Sequence, residues 1–234
     1  MKNSIEFKVW GKYAMFTDPI TKIGGEKCSY HIPTYEAIKG IVKSIYWKPT
    51  IIWFIDAVRV MKKFKTESKG FKPLKYSDGG NFLSIYNYLF DVEYQVQAHF
   101  EWNQCRPELT KDRVDGKHYA IANRYLEKGG RQDVFLGCRE CQGYVEPYVF
   151  GEGKSEFDNM GELSFGLMFH SFEYPDETGV NEFASRFWYP KMVDGKISFD
   201  RPDKCEIRKV ISKMEPKKFS EGHNFTCLSE EEVV

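Results

Sequence analysis

Between residues 92 and 102 the apolar side chains Val92, Tyr94, Val96, Ala98, Phe100 and Trp102 alternate with Glu93, Gln95, Gln97, His99 and Glu101. Successive side chains of an extended strand point to opposite faces, so this run demands a strand with one face in a core and the other outside it. Residues 5–10 repeat the pattern, with Ile5, Phe7 and Val9 set against Glu6, Lys8 and Trp10. Whatever lies between must let two such strands share a core.

Pro33-Thr34 opens a helical stretch that the spacing predicts to run to about Trp47, where Pro49 stops it. Ile38, Ile41, Val42 and Ile45 would face the core, with Lys39, Lys43 and Tyr46 on a neighbouring stripe. Residues 51–60 are β-branched and aromatic and read as a buried strand. Residues 62–75 hold six lysines against the single acid Glu67 and are broken by Gly70 and Pro73, which predicts a mobile basic loop. A polar connection over 105–115 leads through Gly116-Lys117-His118-Tyr119 into a second helix, closed by Gly129-Gly130 and followed by a short strand at 134–136.

This order of strand, helix, strand, strand, helix, strand predicts an α+β fold, a ferredoxin-like (RRM-type) antiparallel sheet with helices on one face, over residues 1–141. Its open face would suit RNA. Residues 142–219 read as a mainly β subdomain, with strands at 144–150, 163–172 and 183–193, a turn at Asp194-Gly195 and a strand at 197–199. A short closing helix is expected at 207–214, and residues 220–234 read as a loose acidic tail.

With 234 residues, 41% of them hydrophobic, the chain can bury a sizeable core. Thirty-four basic residues balance 34 acidic ones, so affinity for a polyanion must come from local clusters. The first residues carry no leader pattern and no run is long enough to span a bilayer, so a cytoplasmic protein with reduced thiols is expected, without membrane partners. Cys138-x-x-Cys141 lacks the second pair that a tetrahedral zinc site needs, and the paired glycines lack nucleotide-binding spacing. Neither a metal nor a cofactor is expected.

Three groups of residues invite a phosphate. The lysines of 62–75, Lys69 and Lys72 among them, are interleaved with Phe64, Phe71 and Tyr76, and are either a solvated surface or a clamp on RNA. Gly129-Gly130-Arg131 is either a helix cap or a place of close phosphate approach. Lys117 and His118, at a helix start where free amides favour an anion, are the candidate catalytic pair.

The runs Phe16-Thr17-Asp18-Pro19, Lys22-Ile23-Gly24-Gly25-Glu26-Lys27, Ser44-Ile45-Tyr46-Trp47-Lys48-Pro49-Thr50, Gly116-Lys117-His118-Tyr119 and Tyr174-Pro175-Asp176-Glu177-Thr178-Gly179 resemble the CRISPR-associated Cas five-d (Cas5d) family of subtype I-C systems. The likeness spans nearly the whole chain to about Phe219. It implies a repeat-associated RNA-binding fold that cleaves precursor CRISPR RNA near the repeat hairpin and stays on the 5′ handle of the guide RNA among other subunits of a surveillance complex. It also implies that Tyr46, Lys117 and His118 carry the reaction. Lys39, Lys43, Lys69, Lys72 and Arg131 are the expected RNA-binding residues. The rival expectations are a non-catalytic scaffold holding guide RNA and a protein with non-specific affinity for duplex DNA. Which of Tyr46 and His118 acts as base stays open at the level of sequence.

Overall fold

The alternation at the start of the chain does what its pattern demands, with Ile5, Phe7 and Val9 buried on one face of β1 (Ser4–Ala14). The computed structural model describes residues 2–228. After β1 come β2 (Lys27–Cys28), α1 (Tyr35–Ile45), β3 (Ile51–Val60), β4 (Thr66–Phe71), β5 (Ser84–Trp102), α2 (Lys117–Glu127), β6 (Val134–Phe135) and β7 (Gln142–Pro147). The remainder is β8 (Glu162–Ser164), β9 (Met168–Glu173), the single turn α3 (Pro175–Thr178), β10 (Glu182–Trp188), β11 (Lys191–Val193), β12 (Lys196–Ser198) and β13 (Ile207–Lys213).

β5 is the long central strand, antiparallel to β1 on one side and to β3 on the other. With β7 beside β1, the order β7-β1-β5-β3 is that of a ferredoxin-like antiparallel sheet. Tyr94, Val96, Ala98 and Phe100 of β5 meet Ile38, Ile41, Val42 and Ile45 of α1, and Ile121, Ala122 and Leu126 of α2, in one core. The α+β class and the one-sided helices agree with the sequence reading.

Several elements differ from that reading, each for a physical reason. The fourth strand beside β1 is β7 and not residues 134–136, because β6 is only two residues long and pairs with β7 as a short hairpin. The sheet continues through β12, β11 and β8 beyond β3, so the boundary at residue 141 falls inside one sheet. The expected lysine loop contains β4, which pairs with the first half of β5; its exposed side chains hid the strand, since its order comes from β5's backbone. Residues 207–213 form β13 against β10, although Ile207, Val210 and Ile211 fall at helical spacing. The strands expected at 163–172 and 183–193 are each split, into β8 and β9 and into β10 and β11, and the two members of each pair lie in different sheets. Residues 220–228 are largely exposed, with Phe225 buried among them, and the acidic Glu230 to Glu232 lie outside the described residues. The sheet face away from the helices carries charge of both signs, with Glu6, Asp56, Glu93, Glu101 and Glu146 alongside Lys8, Arg59, Lys196 and His99.

His170 sits in the core, its ring stacked on Tyr35 at 4.3 Å and its Nε2–H donating to the Asp200 carbonyl at 3.1 Å. Burial pushes its pKa down to about 3. Between that value and the ordinary value near ~6.5, the unfolded chain binds a proton that the folded chain refuses, so stability is full above this window and is lost as pH falls through it. Chemical denaturation at pH 7, 6 and 5 is expected to show a decline to which His170 contributes up to about 1.4 kcal/mol per pH unit. In a His170→Phe variant that share of the slope disappears.

Candidate active site

α1 begins where the Thr34 hydroxyl accepts the Ala37 amide at 3.2 Å, and it ends at Ile45, two residues before the expected stop. Its last carbonyls are taken by the turn after α2: the amides of Arg131 and Gln132 donate to Ser44 O at 3.1 and 3.0 Å. That approach depends on Gly129 and Gly130, with φ of 84° and 110°, a region open to glycine. Tyr46 therefore leaves the helix in an extended conformation, and Trp53 Nε1–H fixes its carbonyl at 2.8 Å. Its side chain turns inward, 1% exposed, away from the stripe of lysines on which the sequence placed it.

There it meets His118. The Tyr46 hydroxyl lies 2.9 Å from His118 Nδ1, and His118 Nε2 lies 2.7 Å from the Asp112 carbonyl oxygen. A carbonyl can only accept, so Nε2 carries the hydrogen, Nδ1 presents its lone pair, and Tyr46 donates to it. His118 is fully buried in the second residue of α2, against Trp102 at 5.4 Å and Phe100 at 6.2 Å. Burial holds its imidazole below the ordinary value; the hydrogen bond to the Asp112 carbonyl and the Asp112 carboxylate oppose this, and the charge of Lys48 reinforces it. The resting pair is thus a neutral imidazole accepting from a neutral phenol.

Lys117 precedes His118 as the first residue of α2 and is half-buried. Gly116 at the cap has φ 79° and offers no side chain to the helix start, which leaves the first-turn amides without a side-chain acceptor. A groove of about 910 Å³ reaches the residues that follow Tyr46 and is lined by Lys43, Trp47, Lys48, Arg131, Gln132, Phe219 and the segment His223, Asn224, Phe225 and Thr226, while Tyr46, Lys117 and His118 themselves do not line it. Lys48 Nζ donates to Thr226 O at 2.6 Å, and the Leu228 amide donates to Asp112 Oδ1 at 2.7 Å, so this last segment is fastened beside the phenol–imidazole pair.

Of the expected RNA-binding residues, Arg131 is exposed and lines the groove. Lys43 also lines it while bonded to Glu177 at 3.0 Å. Lys39 is 2% exposed and its amine is held by the same carboxylate at 2.5 Å, so it presents no charge to the groove. Lys69 lies over the Tyr13 ring at 3.3 Å on β4, and Lys72 is exposed just beyond that strand; neither lines the groove. Lys48, Trp47 and Asp112 received no role from sequence. Lys48 and Trp47 adjoin Tyr46 in a quoted run and could have been found there, whereas Asp112 lies in a connection without periodicity. Cys138 and Cys141 face each other with sulfurs 3.5 Å apart, and no group of three or more His, Cys, Asp or Glu side chains suited to a metal occurs among the described residues. No helix among them is long and apolar enough to cross a membrane.

Fold and site together define a class: a ferredoxin-like α+β protein with a buried phenol–imidazole pair beside a groove lined with cations. Residues 4–200 match the family described as CRISPR-associated protein (Cas_Cas5), type Cas5d. The chain belongs to the Cas5d family. It is 30% identical over 214 residues to the CRISPR pre-crRNA endoribonuclease Cas5d of Thermus thermophilus, a match covering 87% of this chain and 82% of that protein. A shorter match, 44% identical over 68 residues, covers 29% of the protein of the same name from Mannheimia succiniciproducens. Two solved structures superpose with TM-scores of 0.74 over 88% of this chain and 96% of theirs: a CRISPR-associated protein at 35% identity and a functionally uncharacterized Streptococcus mutans protein at 37%.

Proposed function

We propose that this protein is an endoribonuclease that cuts precursor CRISPR RNA in its repeat without a metal ion, through Tyr46, Lys117 and His118. The observation that carries the reading is the 2.9 Å contact between a phenol and an imidazole whose outer nitrogen is fixed by a carbonyl. RNA supplies its own nucleophile, the 2′-hydroxyl, so the protein needs only to align it, accept its proton and stabilise charge on the phosphorane.

The tautomer gives the proton a direction. The Tyr46 oxygen takes the 2′-hydroxyl proton as its own passes to His118 Nδ1, which makes the histidine the base acting through the phenol. Lys117 and the first-turn amides of α2 balance the phosphorane charge. Because Tyr46 and His118 are closed off, the ribose reaches them when the segment from Phe219 to Thr226 is displaced, and a phosphate then replaces Thr226 O on Lys48. Attack of the 2′-oxygen on phosphorus breaks the P–O5′ bond and the departing 5′-oxygen takes a proton from water, so the products are a 2′,3′-cyclic phosphate and a 5′-hydroxyl. The cut guide RNA stays in the groove, where other subunits of a surveillance complex join it. In a non-catalytic scaffold the buried phenol–imidazole pair would serve stability alone, and the exposure of Trp47 beside Lys48 and Arg131 in the groove suits a single strand and its bases better than duplex DNA.

Incubation of the adjacent repeat RNA with the protein in excess chelator tests this. Cutting is expected to continue unchanged, and complete loss with rescue by magnesium contradicts it. Lys48→Ala and Arg131→Ala are each expected to weaken RNA binding and to lower the salt slope of log affinity by about 0.7. Lys39→Met leaves that slope unchanged, as titrations between 50 and 200 mM salt would show.

A further inference from the structure

Asp112 is a fully buried carboxylate that the reading above leaves without a task. It lies in the 3-10 turn Pro107–Asp112 before α2. Oδ2 accepts the Thr50 hydroxyl at 2.5 Å and Oδ1 accepts the Leu228 amide at 2.7 Å. Oδ2 also lies 3.7 Å from His118 Nε2, whose hydrogen goes to Asp112's own backbone carbonyl. One residue thus presents two acceptors to the outer side of one imidazole, the carbonyl along the N–H bond and the carboxylate beside it.

A buried carboxylate needs compensation, and a hydroxyl with one amide supplies only part of it. Beyond these two donors stands the His118 imidazole, 3.7 Å from Oδ2, which gains a positive charge only when a proton reaches it. We propose that Asp112 is a positioning residue of this reaction: its carbonyl fixes the tautomer of His118, and its carboxylate balances the imidazolium formed when the proton of the Tyr46 hydroxyl arrives at Nδ1. The inference rests on the proposed proton path. The step conserves charge, since the proton moves from the 2′-oxygen to the phenol oxygen as the phenol proton moves to Nδ1, and the cation arises beside an existing anion. Among the described residues, the other groups facing the pair of His118 and Asp112 are Tyr46 from the end of α1, Lys48 from the segment that follows and Cys227 from the last segment, while Phe100 and Trp102 of β5 contribute rings that do not titrate. Asp112 is thus the anion among them, opposing Lys48.

Asp112→Asn keeps the shape, the carbonyl and an acceptor for Leu228 while removing the charge. An opposite charge within about 4–6 Å shifts a titration by at least about one pH unit, so in this variant His118 is expected to titrate about one unit lower and single-turnover cleavage to fall about tenfold. Binding of uncut RNA stays within about twofold of wild type. Asp112→Glu, which keeps the charge, is expected to retain the wild-type pH profile. Equal slowing by both variants with an unmoved pH profile overturns the inference and leaves the nuclease reading intact. If the wild-type protein does not cut, the nuclease reading fails, and NMR titration still decides on Asp112: its carboxyl carbon signal must move with the titration of His118. A flat Asp112 signal overturns the inference even if both variants unfold.

Discussion

Tyr46→Phe is expected to lower single-turnover cleavage of repeat RNA by about a hundred- to ten-thousand-fold, the usual loss when a positioned proton-transfer group is removed. The substitution keeps the aromatic ring, its stacking on Tyr125 at 6.3 Å and its burial, and deletes only the hydroxyl that donates to His118 Nδ1. Stability should fall by about 1 kcal/mol, the size of one hydrogen bond, and RNA affinity should stay within about twofold. The separation matters because a scaffold predicts no cutting at the start and no change on substitution. A Tyr46→Phe protein that cuts as fast as wild type removes the phenol from the reaction and leaves His118 to act alone.

Trp53→Ala should have the largest effect on folding. The side chain is fully buried in β3, packed edge-on against Phe100 at 5.2 Å, and its Nε1–H holds the Tyr46 carbonyl at 2.8 Å. Truncating a buried tryptophan costs about 3–5 kcal/mol, a large share of the stability margin of an ordinary domain. Cleavage falls with it, although Trp53 lies in the core, because the extended turn at Tyr46 loses its anchor. Trp53→Phe separates the two effects, since it restores most of the packing without the N–H. Thermal melts are expected to recover to near wild type while cleavage stays reduced, and full recovery of both would show that packing alone positions Tyr46.

Strands that carry a strict two-residue alternation, β1 and the second half of β5, were legible because one face is buried and the other is not. α1 and α2 were legible from their apolar stripes and from Thr34, Gly129 and Gly130 at their ends. β4 and β13 were not, because their side chains are largely exposed and their order comes from a neighbour's backbone, which leaves no local trace. The site followed the same division. His118 at a helix start could be singled out from its surroundings, and Tyr46 came from family likeness. The meeting of the two depends on the helix stopping at Ile45, which is set by amides of residues 131 and 132 more than eighty positions away. Helical periodicity therefore placed Tyr46 beside Lys39 and Lys43, where a longer helix would have put it. The same distant origin hid Glu177, which takes both lysine amines and leaves Lys39 buried.

End-group analysis of hairpin repeat RNA cut in chelator, by wild type and by His118→Gln in parallel, bears most directly on proton transfer through the buried pair. Wild type should leave a 2′,3′-cyclic phosphate on the upstream fragment and a 5′-hydroxyl on the downstream one, while the His118→Gln protein binds the same RNA and leaves it whole. A 5′-phosphate on the downstream fragment, or cutting that survives loss of the imidazole, would contradict it.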